Sequence, residues 1–314
     1  MGLTQSDREK LVLQFFEAEL SPAEIEKHAE NALDQAYWRA LNPDLSVGTD
    51  AAGANTAEIG DRAAEELSSQ FRREGYFQTG QLLDPALVAR MRASIERLRS
   101  EGWPAVFSFV YDEFWQIVRT PSFMRLISGI LGDGYRQNSL IWTFYVPPVK
   151  GARGWEPHAD GGLGESRVTT WVPFTDATID NGCMYVIPCD RLQDDLRVQY
   201  ADLHNVTNAQ LTRLLHNTRA LPTPAGAYVG WNHELIHWGS VSTGRGEPRI
   251  SIAVEFVARD YAARPDELPL LDARMVPSFP ERIRAVAKAL LTYPRYEPSL
   301  KRYAGLGRRL FESA

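Results

Sequence analysis

The sequence predicts a mainly β core, a barrel or a sandwich, flanked by helices from both ends of the chain: an α+β arrangement. Three observations carry this. From about Ser139 the texture changes to short segments rich in Val, Ile, Thr, Trp and Tyr, separated by Gly, Pro and Asn turns: "LIWTFYVPP", "VTTWVPF", "MYVIP", "AYVGW" and "RISIAVEFVA". Before that point, apolar residues recur at helical spacing and helix-start signals are frequent. After Asp260 the chain is punctuated by proline and carries one more amphipathic run, "PERIRAVAKALLTY".

The elements follow in order. Ser21-Pro22-Ala23-Glu24 is a capping box with proline at the first helical position, which predicts a helix from there to about Leu41. "NPDLSVGTDAAGANT" is turn-rich and reads as a mobile surface loop. A second helix is expected over Ala57 to Glu74, and Asp84-Pro85 opens a third, "PALVARMRASIERLRS". The five strand-like segments come next, and "PERIRAVAKALLTY" is the final amphipathic helix. No internal repeat is visible. The expected division is a helical extension over residues 1–70, a core over 71–260, and a C-terminal helical segment over 261–314 packed on the same domain.

Composition bounds the function. The chain has 314 residues, 44% of them hydrophobic, enough for one large or two ordinary domains with a substantial core. A net charge of -6 gives no phosphate-binding field, so nucleic acid is not an expected partner. The basic stretch "LKRYAGLGRRLFES" reads as a solvated helix face. Two cysteines, Cys183 and Cys189, are too few for a disulfide scaffold and fit a reducing cytoplasm. The start "MGLTQSDREKL" has no apolar signal region, and no stretch approaches a membrane span. Gly2 and Ser6 match the loose myristoylation pattern, which arises often by chance. No feature fixes an oligomeric state.

"NHELIH" contains His233-Glu234-x-x-His237, the pattern that in zinc peptidases places two histidines one turn apart on a helix, with the glutamate as general base. Here glycines crowd it: Gly226 and Gly230 before, Gly239 after. A helix confined between them would be marginal, and the third histidine of the longer motif is missing. Glu255 is a distant third-ligand candidate, but it lies in a strand-like run. As a strand end or turn, the stretch leaves His237 in need of other partners. "GWEPHADGG" offers His158 and Asp160, which share a face on an extended chain. Two histidines and one carboxylate occupy one face of an octahedral ferrous ion and leave three positions open. Loop polar groups and a core histidine fit the same residues.

The strand "PRISIAVEF" puts Ile250, Ile252, Val254 and Phe256 on one face, expected to pack on helices. Arg249, Ser251, Ala253 and Glu255 fall on the other. Turned inward, Arg249 needs an anion. Glu255 is one candidate; the far carboxylate of a dicarboxylate cosubstrate is the other.

These residues resemble the iron- and 2-oxoglutarate-dependent dioxygenases, in the phytanoyl-CoA dioxygenase-like branch. The likeness rests on "WEPHADGG", "TTWVPFTDATIDNGCMYVIP", "LIHWGS" and "EPRISIAVEF" in that order, with "REGYFQTGQLLDPALVARMR" as the entry strand and helix, and it spans roughly Phe71 to Ala258. It implies a double-stranded β-helix, the jelly-roll barrel of the cupin type. It implies that His158, Asp160 and His237 bind Fe(II) and form the catalytic centre, and that Arg249 pairs with the 5-carboxylate of 2-oxoglutarate with Ser251 beside it. Trp171 falls where relatives place an aromatic residue near the metal, although ordinary core also fits it. Thr143 is a further cosubstrate contact. Two departures stand out. Cys189-Asp190-Arg191 replaces the usual Gly-Ser-His, and Met184 stands where many relatives have a threonine that contacts the cosubstrate.

The implied activity couples oxidative decarboxylation of 2-oxoglutarate, with O2, to hydroxylation or a related C–H oxidation. Asp160 disfavours halogenation, because halogenating relatives lack this carboxylate. "DGGLGESR", "AVFSFVYDEFWQ" and Trp238 are candidate pocket walls whose aromatics suit a mostly apolar small molecule, such as a natural-product scaffold. Core packing would use the same aromatics. A zinc peptidase and a catalytically silent barrel are the alternatives.

Overall fold

The computed structural model describes residues 19–48, 56–161, 166–191 and 207–313. Gly2 and Ser6, part of the 42–56 loop and Gly162 to Glu165 of the "DGGLGESR" loop lie outside them.

Nine strands form two antiparallel sheets among the described residues. β1 (Tyr76–Gln81), β2 (Arg136–Val146), β3 (Arg167–Pro173), β6 (Ala227–Trp231), β8 (Arg249–Val257) and β9 (Leu271–Asp272) make the larger sheet, in the order β1-β6-β3-β8-β2-β9. β4 (Met184–Ile187), β5 (Arg219–Leu221) and β7 (Ile236–Gly239) make the smaller, in the order β5-β4-β7. Every expected strand segment is present. This is the two-sheet jelly-roll arrangement of the double-stranded β-helix.

Register fixes which side chains look inward, because directly paired residues share a face. On β8, Arg249, Ser251 and Ala253 pair with Val146, Phe144 and Trp142 of β2. On its other side, Ala253 and Glu255 pair with Trp171 and Thr169 of β3. Those two β3 residues in turn oppose Val229 and Trp231 of β6. This inner face meets Met184, Val186 and Leu221 of the small sheet in one apolar cluster. The opposite face carries Phe256 and Tyr228, whose rings lie 5.6 and 5.0 Å from Phe123 on the helix Pro121–Leu131. The helix Asp61–Glu74 packs against that helix and against β1. The aliphatic face of β8 therefore meets helix, as its alternation predicts.

The strands belong to a compact unit over Ala52–Ala93 and Gln116–Val276. A second unit takes in Met1–Ala51, Ser94–Trp115 and Pro277–Ala314, so it draws on both ends of the chain. Its core is aromatic: Trp38 stacks on Phe107 at 5.5 Å and meets Trp103 at 4.8 Å. "AVFSFVYDEFWQ" supplies this core through the 3-10 turn Ala105–Val110, all but its first residue buried. Arg282 forms a buried ion pair with Asp112.

Local differences from expectation have local causes. The capping box at Ser21 and Glu24 forms, but the first helix ends at Leu33. Asp34 is extended there and caps a second helix, Gln35–Leu41, its carboxylate accepting from the Ala36 amide at 2.8 Å. The next helix starts at Asp61 rather than Ala57, because Thr56 bridges Leu83 and the Ala57 amide donates to the Leu82 carbonyl. Beyond the helix Phe279–Thr292 the chain forms one more, Ala304–Ser313. No described helix is long and apolar enough to cross a membrane.

Candidate metal centre

His158 and His237 are joined by backbone before their side chains meet. The His158 amide donates to the His237 carbonyl at 3.1 Å, and the return bond is 2.9 Å. This antiparallel bridge at the start of β7 sets the two rings 4.4 Å apart. Each ring is also anchored through its Nδ1, to the Glu156 carbonyl at 2.7 Å and to the Leu235 carbonyl at 3.0 Å. A carbonyl accepts only, so Nδ1 carries the proton and Nε2 is left with a lone pair. Both Nε2 atoms face Asp160 Oδ1, at 3.5 Å from His158 and 3.8 Å from His237. One donor atom from each of the three residues falls within a 4.8 Å cluster, which is the grouping a single cation requires.

The second oxygen of Asp160 is already engaged. Oδ2 accepts from Thr169 Oγ1 at 3.1 Å and from Trp231 Nε1 at 3.0 Å. Burial alone would raise the Asp160 pKa, but the surrounding imidazoles of His237, His158 and His233 outweigh it and hold the carboxyl well below the usual range. Burial presses His237 down to about 4, against the pull of Asp160. Burial also opposes charge on His158, yet the contact with Asp160 prevails and its pKa is raised. One oxygen and two imidazole nitrogens thus remain for a metal, with tautomer and orientation fixed by neighbours.

Arg249, one strand away, is 1% exposed. Its Nη1 donates to the Gly182 carbonyl and its Nε has no partner among the described residues. Burial lowers its pKa to about 10 against the pull of Cys183, and no carboxylate among the described residues opposes it. The hydroxyl of Ser251, on the same inner face, is buried and also lacks a partner among the described residues. Glycines clasp the guanidinium. A Cβ on Gly239 would stand 2.6 Å from Nη1, and one on Gly154 would stand 2.6 Å from Nη2. An orphaned guanidinium, an orphaned hydroxyl and a cradle kept clear of side chains fit one end of an anionic ligand. The residues present therefore fit both a divalent metal and a dicarboxylate.

The structure brings together His158, Asp160, His237, Arg249 and Ser251. Trp171 lies on the same inner face, 1% exposed within the apolar cluster. Thr143 is not brought to them: it pairs with Ile252, so it lies on the face opposite Ser251. Glu255 does not answer Arg249 either, because it is held by Arg167. Met184 sits in the apolar cluster, and Trp238, stacked on Tyr185 at 5.7 Å, packs with Ile187, Leu214 and Ile236 on the face away from His237.

"NHELIH" is a turn entering a strand, not a helix. His233 is nevertheless more than a turn residue. It is 4% exposed, and its Nε2 lies 3.3 Å from Glu255 Oε1 and 3.2 Å from Thr169 Oγ1. A ring turned to those partners is spent away from His237, which removes the basis of a zinc-peptidase pair. Sequence reasoning also missed Trp231, whose ring lies 4.5 Å from that of His237. Alternation in "AYVGW" could have placed it inward; nothing in the sequence pairs it with Asp160.

Comparison with known proteins agrees with the geometry. A search of curated proteins finds no significant match. Solved structures share the fold. The epimerase SnoN, in complex with Fe3+, alpha ketoglutarate and nogalamycin RO, is 19% identical over 67% of this chain and 91% of its own, with a TM-score of 0.53. The non-heme monooxygenase ThoJ is 16% identical over 79% of this chain and all of its own, at 0.51. The carbocyclase SnoK of nogalamycin biosynthesis is 19% identical over 68% and 90%, at 0.50. The phytanoyl-CoA dioxygenase family model matches residues 105–249, a span that holds His158, Asp160, His237 and Arg249. Over those residues the chain is similar to the phytanoyl-CoA dioxygenase family, and it shares its fold with the non-heme enzymes named above.

Proposed function

We propose that the protein is a non-haem iron oxygenase that couples oxidative decarboxylation of 2-oxoglutarate to hydroxylation, or a related C–H oxidation, of a small organic molecule. One observation carries the reading: three converging donor atoms share the core with a buried arginine that lacks an anion among the described residues. When bound, Fe(II), 2-oxoglutarate and O2 supply the oxidising power, with succinate and CO2 as the cosubstrate's products. The chain's own residues bind, orient and exclude water. His158 and His237 present fixed lone pairs, and Asp160 presents one oxygen while Thr169 and Trp231 hold the other. Arg249 would hold the far carboxylate, with the Ser251 hydroxyl beside it.

Phe144 and Trp155 stand edge to face at 5.2 Å, and the Trp155 ring is 5.8 Å from His158. These rings supply an apolar wall that favours a mostly apolar substrate and keeps bulk water from the reacting bond. We read the substrate as a small molecule of natural-product type and the location as cytoplasmic, supported by two free cysteines.

The test is anaerobic addition of Fe(II) and 2-oxoglutarate to metal-free protein while recording the visible spectrum. The wild type is expected to develop a weak charge-transfer band. Asp160→Ala should lose it, and Arg249→Gln should need far more 2-oxoglutarate. Absence of the band in the wild type would overturn the reading.

A further inference from the structure

His233 belongs to a polar chain that starts at the metal-facing carboxylate and runs away from the cosubstrate end. Asp160 Oδ2 accepts from Thr169 Oγ1 at 3.1 Å. The same hydroxyl lies 3.2 Å from His233 Nε2, which is also 3.3 Å from Glu255 Oε1. Glu255 is held in turn by Arg167 and by Asn138 Nδ2 at 3.1 Å. Arg167 continues to the fully buried Glu267 at 2.8 Å, and Glu267 meets Arg264 at 3.0 Å. Two guanidinium groups thus answer two carboxylates, and His233 is the link left to face Asp160.

Directions along the chain follow from the donor inventory. The His233 Nδ1 faces the Gly161 carbonyl at 3.2 Å, and both that oxygen and the Glu255 carboxylate only accept, so the ring is placed to donate at both ends, toward Glu255 from Nε2. That nitrogen also faces Thr169, whose oxygen takes it as a donor and whose own proton is turned toward Asp160. With Trp231 Nε1 as second donor, Oδ2 has two, and Oδ1 is the oxygen left for a metal. Without His233 the Thr169 hydroxyl is free to rotate and the carboxylate to twist. Burying such a network is costly unless every member is satisfied, so a role in orientation accounts for its presence.

We propose that His233 and Glu255 are positioning residues of the metal centre, acting through the Thr169 hydroxyl to hold the Asp160 carboxylate in its ligating orientation. This rests on the reading of His158, Asp160 and His237 as metal ligands.

The experiment titrates Co(II), a spectroscopic stand-in for Fe(II), into the metal-free full-length protein. Affinity and the ligand-field absorption spectrum are the readouts, and thermal unfolding of each metal-free variant is the folding control. His233→Phe and Thr169→Val are each expected to weaken Co(II) binding about 10- to 100-fold and to alter the spectrum. His233→Gln, which keeps a donor, should stay close to wild type. Because the two residues act through one chain, the double variant should bind no more weakly than the worse single variant. Unchanged affinity and spectrum in His233→Phe, or losses that multiply in the double variant, would overturn the inference. Should His233→Phe not fold, Thr169→Val carries the decision by the same criterion. A wild type that binds Co(II) no better than Asp160→Ala would overturn the metal centre itself, and the inference with it.

Discussion

Arg249 is buried with a backbone carbonyl for a partner and no carboxylate in reach among the described residues, while Gly154 and Gly239 keep the space around its guanidinium open. Removing one member of a buried charged contact costs on the order of 2–4 kcal/mol. Arg249→Gln should therefore raise the 2-oxoglutarate dissociation constant at least tenfold, measured by calorimetry with Mn(II) in place of iron, and leave metal affinity unchanged. Gly239→Ala makes a finer cut. Its new methyl would collide with Nη1, so cosubstrate affinity should drop while Co(II) binding persists. Equal losses of both would mean that the methyl disturbs His237 instead. Acid should act through a single proton. A metal ligand must be unprotonated; Asp160 is held ionised and His237 protonates only near 4, so the raised group, His158, is the one that competes. Below the pKa of His158 and above 5, Co(II) affinity should fall tenfold per pH unit. A hundredfold fall per unit would show that two ligands titrate together.

At the scale of elements, β7 divides its labour by alternation. His237 points to the metal centre and Trp238, the next residue, packs against Tyr185, Ile187, Leu214 and Ile236 on the far face. Trp238→Ala should destabilise the protein by about 1–3 kcal/mol in urea, because it strips a partly buried ring from a small cluster, yet leave Co(II) affinity within a factor of about two. His237→Ala should do the reverse. The strands were legible in the sequence because period-two alternation and turn residues are local signals, and the apolar face of β8 follows from alternation alone. Thr143 shows the limit. Its strand was found, but its facing depends on pairing with Ile252, a partner more than a hundred residues away. His233 shows another: its role comes from Thr169 and Glu255 on neighbouring strands, and no spacing within "NHELIH" encodes them. The break at Asp34 was hidden because helical periodicity continues across it, while the capping side chain that stops it is a single residue.

For the whole molecule, ligand linkage gives a global readout. A ligand that binds only the folded form stabilises it by about 2.7 kcal/mol at a hundred times its dissociation constant. Metal and 2-oxoglutarate together should raise the thermal midpoint by several degrees, and Arg249→Gln should retain the metal's share alone. The unit drawn from both chain ends has its own vulnerability. Asp112→Ala would strand Arg282 in the interior and should cost about 3–5 kcal/mol, with no direct claim on the metal ligands. The paired backbone bonds between His158 and His237 have a consequence for handling the protein. Two metal ligands are spaced by a two-bond β-bridge and not by the ion, so stripping with a chelator should leave their seat standing. Apo and reloaded protein should give superimposable far-ultraviolet dichroism and the same protease digestion pattern. Repeated cycles of stripping and refilling should then show no hysteresis, with Fe(II), Co(II) and Mn(II) exchanging through one vacant berth at rates set by how readily each ion sheds water.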